Sequence, residues 1–400
     1  MTILFQLTEL KSIWGISDLG RIINLLMLSF FLIIGFISFF KISYTKDAWL
    51  TIIIPSFLVV FGMLFNITKN VFTNTSLLSY YGLILPWGAL LASPVLVKFG
   101  YIKVDVLWKH FYYFMIISIS LSLLEYLFVF SSLYSIKSIT IPNGVFLIGK
   151  FTLFHMLEDE SPHERFYASF SEPGTLAMYL LPVILYSLLN KKYISLIVFL
   201  IAFYFTYSLG GYISLIILFF IFVYIKTKKT NRLLFLTLAA AMITLVGLFV
   251  ADTLKQQYEE KGESADTRKR SVSQTFVNLS DAIISYPLGF NLKNTTYEYE
   301  RDSLYFGSNF SIGYSYVLGG ILAFVGYLWV VIFSFLYAIK NILLIDNDKY
   351  KHKYLIGVSI LVLIPFIVQR TTIWDSVLFA LLFSGVLVEY FNTKRLFIMK

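Results

Sequence analysis

Long apolar runs, broken by short charged connections, dominate the pattern of this sequence. A helix that crosses a bilayer needs about 20 mostly apolar residues. About eleven stretches fit: Ile22–Phe40, Ala48–Phe65, Leu77–Val97, Phe111–Phe130, Gly174–Leu189, Tyr193–Tyr207, Tyr212–Ile225, Leu233–Ala251, Phe310–Ala338, Tyr354–Val368 and Ile373–Phe391. The pattern predicts an all-α integral membrane protein. It would be a polytopic bundle of about 11 (10–12) transmembrane helices, a single domain over residues 1–400. Two polar connections are much longer than the others, Ser131–Phe170 and Asp252–Asn309. Long connections of this kind are functional or disordered. Within the second, Gln256 to Arg270 reads as a solvated charged stretch. It is followed by an amphipathic helix with Val272, Phe276, Val277, Ile283 and Ile284 at helical spacing, ended by Pro287-Leu288-Gly289. Such a helix can lie on a membrane interface.

Composition excludes the soluble alternative. Hydrophobic residues are 58% of the 400 and charged residues only 14%, against about 25% charged in a soluble domain. No cysteine is present, so disulfides and thiolate chemistry are excluded. Met1–Gly20 carries Glu9, Lys11 and Asp18 and lacks the apolar core of a cleavable signal peptide.

The net charge of +9 is read as cytoplasmic lysine rather than as a nucleic-acid surface. One alternating set of connections holds Lys41, Lys46, Lys98, Lys103, Lys109, Lys191, Lys192, Lys226, Lys228, Lys229, Arg232, Lys340, Lys349, Lys351, Lys353, Lys394, Arg395 and Lys400. The short connections of the other set hold only Lys11, Arg21, Lys69 and Arg370. The first set is expected in the cytoplasm, which puts both long connections outside as large extracytoplasmic loops.

Candidate chemistry concentrates at the ends of those loops. Arg165 to Gly174 places an arginine and Glu172 at the mouth of a helix that Pro173 begins. A guanidinium there can grip a phosphate, and a carboxylate can take a proton from a hydroxyl. The plainer reading is that Arg165 pairs with the Glu158–Glu164 cluster and Glu172 caps the helix. Glu158-Asp159-Glu160 with His163 reads as a solvated run rather than a metal site, since adjacent carboxylates on one chain rarely converge on an ion. Arg268, Lys269 and Arg270 suit an anionic headgroup or a lipid pyrophosphate. Arg301, Asp302, Ser303 and Asn309 precede a membrane helix, and Arg370 and Asp375 lie between two others. Glu125, inside a span, should face the bundle, because a charge in lipid costs about 3 kcal/mol.

Taken in order, several segments resemble the O-antigen polymerase and ligase superfamily, the Wzy-like bacterial membrane glycosyltransferases. The segments are Arg165…Phe170-Ser171-Glu172-Pro173-Gly174, Ser208-Leu209-Gly210-Gly211-Tyr212, Arg268/Arg270 with Ala282-Ile283-Ile284 and Pro287-Leu288-Gly289-Phe290, and Ser308-Asn309 with Gly319-Gly320-Ile321. Leu209 stands where the family often has arginine. Ser308 replaces the histidine of ligase-type members, which favours polymerase over ligase. The resemblance implies a multi-pass protein of the bacterial cytoplasmic (inner) membrane. It would polymerise undecaprenyl-pyrophosphate-linked oligosaccharide repeat units into O-antigen or a related surface polysaccharide. It implies Glu172, Asp302 and Arg165 as catalytic residues. Arg165, Arg268, Arg270, Arg301, Asn309 and Arg370 would bind pyrophosphate or glycan. No metal and no cofactor is expected. The partners would be the lipid-linked oligosaccharides, the bilayer and a polysaccharide chain-length regulator, with no nucleic acid. The alternative class is a lipid-linked oligosaccharide flippase or other transporter.

Overall fold

The structure is a computed structural model. It describes residues 53–71, 103–130, 137–141, 144–148, 155–158, 173–226, 262–290, 310–344 and 351–369, and isolated positions at 26, 29, 30, 33, 34, 37, 43, 44, 50, 84, 87, 88, 165, 166, 168, 170, 397 and 398. The described chain is mostly helical. Its helices are α1 (Ile54–Val71), α2 (Val104–Phe130), α3 (Pro173–Leu189), α4 (Tyr193–Phe205), α5 (Leu209–Lys226), α6 (Gly262–Val277), α7 (Leu279–Ser285), α8 (Ser311–Leu344), α9 (Lys351–Val362) and α10 (Ile364–Gln369). Two of the helices, over Asp105–Leu127 and Ser311–Lys340, are long and apolar enough to cross a membrane. The expected stretches Leu233–Ala251 and Ile373–Phe391 lie outside the described residues, so the helix count of eleven rests on the sequence.

The expectation of an all-helical chain needs one correction. The connection Ser131–Phe170 contains an antiparallel meander of β2 (Lys137–Ile141), β3 (Gly144–Ile148) and β4 (His155–Glu158). Register pairs Ile141 with Gly144, leaving two residues for the turn. The sequence there is Pro142-Asn143, between runs rich in β-branched residues and phenylalanine. Two shorter strands, β1 (Ser43–Tyr44) and β5 (Phe397–Ile398), pair near the two chain ends. The helix of the second long connection starts earlier than expected, at Gly262, within the stretch read as solvated, and Lys269 and Arg270 there are exposed. Its Glu, Ala, Lys and Arg residues are good helix formers.

Burial sorts the helices into a centre and a rim. Gly174 to Leu185 of α3 is buried throughout, and so is Leu355 to Leu363, apart from half-buried Leu361. Helices apolar and buried on all sides form the interior of a bundle. Around them, each rim helix buries one apolar stripe and exposes a second. On α2 the outward stripe is Tyr113, Ile117, Leu121 and Leu124, and on α8 it is Val325, Trp329, Ile332 and Leu336. Glu125 faces inward, 5% exposed, as expected for a charge in an apolar helix. At the far end of α3, the Lys192 ammonium sits 4.2 Å from the centre of the Tyr112 ring. Tyr112 and Ser195 also share a hydrogen bond, and together these contacts tie the α3–α4 turn to α2.

Helix α1 runs antiparallel along α8, and small residues bring the two backbones together. A Cβ on Gly62 would overlap the Gly319 carbonyl, and one on Gly326 would overlap the Pro55 carbonyl. Helix α8 is kinked at this contact. Gly319 has φ −151° and Gly320 has φ 63° and ψ −156°, a region open essentially only to glycine. The kink breaks the helical bond between the Ile321 N–H and the Val317 carbonyl, and both of these groups are matched elsewhere. The Ile321 N–H donates to the Pro287 carbonyl at 3.1 Å, and the Phe290 N–H donates to the Val317 carbonyl at 3.0 Å. Asn66, fully buried, donates its amide to the carbonyls of Leu318 (2.8 Å), Val317 (3.1 Å) and Phe290 (3.2 Å). Tyr316 adds a hydrogen bond to the Tyr286 carbonyl at 2.9 Å. The Pro287–Phe290 turn is thereby fastened into the bend of α8. Buried backbone groups almost always find partners, and here a distant segment supplies them.

Candidate functional site

The segment around Arg165 packs on the corner where α4 ends and α5 begins. Phe166 and Phe170 are fully buried. The Phe166 ring meets Tyr126 edge-on at 5.1 Å, and Phe170 stacks near Tyr179 at 5.1 Å. These two aromatic anchors seat Phe166 against α2 and Phe170 against α3. The sequence reading named the two phenylalanines without a role, although their four-residue spacing beside Arg165 carried the signal.

With Phe166 seated, Arg165 reaches the end of α4. The Phe166 N–H donates to the Phe205 carbonyl at 2.8 Å. Arg165 Nε donates to the Thr206 carbonyl at 3.2 Å, and its Nη2 donates to the Tyr207 carbonyl at 3.3 Å. Three consecutive carbonyls at a helix C-terminus are thus met by two adjacent residues. A cation is favoured there because that end carries partial negative charge. These partners are helix-end carbonyls, and the side chains of the acidic cluster from Glu158 to Glu164 lie outside the described residues. Tyr207 lies at φ 46°, in the left-handed region. That conformation costs a side-chain-bearing residue roughly 1–2 kcal/mol. The Arg165 bonds on either side help to hold it.

The chain then enters α5 directly. The Ser208 hydroxyl accepts a hydrogen bond from the Gly211 N–H at 3.3 Å, as an N-cap does. The Tyr212 hydroxyl returns to the Tyr204 carbonyl at 2.6 Å and closes the corner. Gly210-Gly211 lies inside α5, and Gly211 makes a close helix contact. A Cβ on Gly211 would meet the Ala177 Cβ at 2.9 Å and the Phe203 ring at 3.1 Å. The turn itself is Thr206–Ser208.

Packing Gly211 on Ala177 aligns the starts of α3 and α5 side by side. Two helix N-termini, each carrying partial positive charge, therefore open at the same end as Arg165. The Thr175 hydroxyl, in the first turn of α3, is buried and has no hydrogen-bond partner among the described residues. This end of the bundle thus gathers a guanidinium bonded to helix-end carbonyls, two helix starts and a buried hydroxyl.

The remaining candidates fall into two groups. Arg270 is exposed on α6, and Arg268 belongs to the same helix. Nothing in the structure brings Arg270 next to Arg165. Glu172, Arg301, Asp302, Asn309 and Arg370 lie outside the described residues. Asn66 was missed by the sequence reading. Its signal was an amide beyond Phe65 in a helix that resumes with Ile67. In comparison with known proteins, no family model and no curated sequence matches this chain.

Proposed function

We propose that the chain is a multi-pass membrane glycosyltransferase of the O-antigen polymerase type. The membrane part of the reading is supported by the doubly apolar rim helices. A rim helix in water would carry charge on its outer face, whereas Val325, Trp329, Ile332 and Leu336 carry none. Lysine asymmetry places the start of α3, and with it Arg165, on the side away from the cytoplasm.

One observation carries the enzymatic part, the union of Arg165 with the Thr206–Ser208 corner beside two helix N-termini. Those two segments are forty residues apart in sequence and were paired before only by resemblance. Such a mouth suits the pyrophosphate of a lipid-linked oligosaccharide. In the proposed reaction, a sugar hydroxyl of an acceptor repeat unit attacks the anomeric carbon of the donor glycan. The bond from that carbon to the pyrophosphate oxygen breaks. The hydroxyl proton passes to a carboxylate, Glu172 or Asp302, and undecaprenyl pyrophosphate departs with the electron pair. Fixed positive charge and N–H dipoles lower the barrier by meeting charge as it develops on the leaving group. Arg165 supplies that charge at any working pH and keeps the corner in shape.

The flippase reading has one observation in its favour. Helix α8 is broken inside a candidate span, as transporter helices often are at their ion sites. Yet the groups freed by this break are matched by Pro287, Phe290 and Asn66, which favours a mechanical role. Deleting the gene and resolving surface polysaccharide on a gel separates the two. A single repeat unit without a ladder is expected for a polymerase, and loss of every repeat unit from the surface would point to a flippase.

A further inference from the structure

Helices α6 and α7 form a nearly continuous rod. The Asn278 N–H bonds to the Gln274 carbonyl at 3.0 Å, and the Asn278 carbonyl accepts from the Ala282 N–H at 2.9 Å. Helical facing therefore holds from Gly262 to Ser285. The stripe turned toward the rest of the protein is mostly small or polar: Ser271, Thr275 and Ala282 are buried, and Leu279 alone adds a larger apolar side chain, partly buried against the cluster of Ala282, Tyr316, Val317 and Phe324. The stripe turned away carries Val277, Ile283 and Ile284, with Ile284 exposed by 80%, together with exposed Ser273 and Ser280 and with Phe276, which is exposed but touches Phe310 at one edge, ring centres 5.8 Å apart. This is the reverse of a helix whose apolar face packs on protein. Lys269 and Arg270 lie seven positions before Phe276 and Val277, so they share the outward face, and both are exposed. Asp281, also exposed, is the one acid among the described side chains of this face.

The depth of this face follows from the kink in α8. The Pro287 carbonyl holds the Ile321 N–H. From Ile321 the apolar part of α8 continues for about 20 residues to Lys340, or about 30 Å, the thickness of the hydrocarbon layer. The candidate span itself begins ten residues earlier, at Ser311, so the Pro287–Phe290 turn meets α8 in the outer third of that span, and α7 ends beside it at Ser285. Tyr286, exposed at the same level, is a residue type that favours the headgroup region.

We infer that the outward face of α6–α7 docks on the bilayer. Phe276, Val277, Ile283 and Ile284 enter the outer leaflet of the membrane that α8 crosses, and Lys269 and Arg270 meet anionic headgroups. The rod tapers from charged to apolar along its length, so its fastened end lies deepest. A lipid-anchored substrate would then approach beside a loop already seated in its own leaflet. The inference rests on the membrane reading above.

The protein has no cysteine, so single cysteines at Val277, Ile284 and Ile332 can each carry a nitroxide. The labelled proteins are placed in phosphatidylcholine nanodiscs with and without phosphatidylglycerol. Ile332, on the exposed stripe of α8, reports the membrane reading independently. At Val277 and Ile284 the expected result is severalfold more collision with oxygen than with a water-soluble nickel chelate, as at Ile332. At Val277 the excess should shrink without phosphatidylglycerol and in the Lys269→Glu/Arg270→Glu protein. Labels at Val277 and Ile284 that meet the nickel chelate, while Ile332 stays in lipid, overturn the inference and spare the membrane reading. A nickel-accessible label at Ile332 removes both. Labels at Val277 and Ile284 shielded from both reagents mean that protein covers this face, which also overturns the inference. Readings indifferent to phosphatidylglycerol overturn the headgroup contact.

Discussion

Two places in the molecule interrupt a helix and repair the damage differently. At the α4–α5 corner, side chains make the repair: Arg165 on the carbonyls, Ser208 on an N–H and Tyr212 across the turn. At the bend in α8, backbone from the Pro287–Phe290 turn and the buried Asn66 amide do the work, and glycines make room for it. The first solution gathers charge and hydroxyls at one end of the bundle. The second pairs the Ile321 N–H and the Val317 and Leu318 carbonyls with protein groups. Chemistry is therefore expected at the corner and mechanical coupling at the bend.

The sharpest break of that comparison is Gly320→Ala. A Cβ there would overlap the Pro287 carbonyl, at a φ that alanine tolerates poorly. The expected loss is about 3–5 kcal/mol, in the range of exceptional single mutations. Thermal unfolding of detergent-purified protein should show it, together with release of the turn to proteolysis. Asn66→Asp comes next. It sets a carboxylate against three carbonyl oxygens and should cost more than the about 1–3 kcal/mol of an unsatisfied buried group. Asn66→Leu, which removes the donor without adding charge, should fall within that range in the same assay.

At the corner the readout shifts from stability to product. Arg165→Ala should abolish the polysaccharide ladder at normal protein levels. Arg165→Lys should remain poor, because an ammonium cannot keep both carbonyl contacts. The expected loss is about 1.5–3 kcal/mol, one to two orders of magnitude in rate. A full ladder from Arg165→Lys at equal expression would sink the catalytic assignment. Ser208→Ala should be mildest, costing about 1 kcal/mol as an N-cap loss. A fall in activity far beyond that would mean the hydroxyl meets substrate.

The same contrast explains what the sequence disclosed. Gly174–Leu189 was predicted almost to the residue, because hydropathy reports burial and Pro173 marks a start. Arg165 and Ser208 were legible because charge and hydroxyl stand out in apolar surroundings. The union of Pro287–Phe290 with Gly319–Gly320 was not. A glycine signals only that something comes near, without saying what. The β2–β4 meander was passed over because a polar connection between membrane helices was read as loop. Yet Ile139-Thr140-Ile141 and Val145-Phe146-Leu147-Ile148 flank a Pro-Asn-Gly turn signal. The Gly262–Arg270 helix was hidden by reading charge as solvation and neglecting helix propensity.

The bend in α8 also fixes an order of assembly. The Pro287 carbonyl lies only about thirty residues before Ile321, whereas Asn66 is 252 residues from Leu318. Closing the longer separation is about three doublings of loop length, or roughly 2 kcal/mol more chain entropy. The near partner is thus expected to fold the bend first, as α8 leaves the ribosome with the turn already made. Asn66 then closes over an existing shape, joining an earlier part of the chain to one 252 residues later.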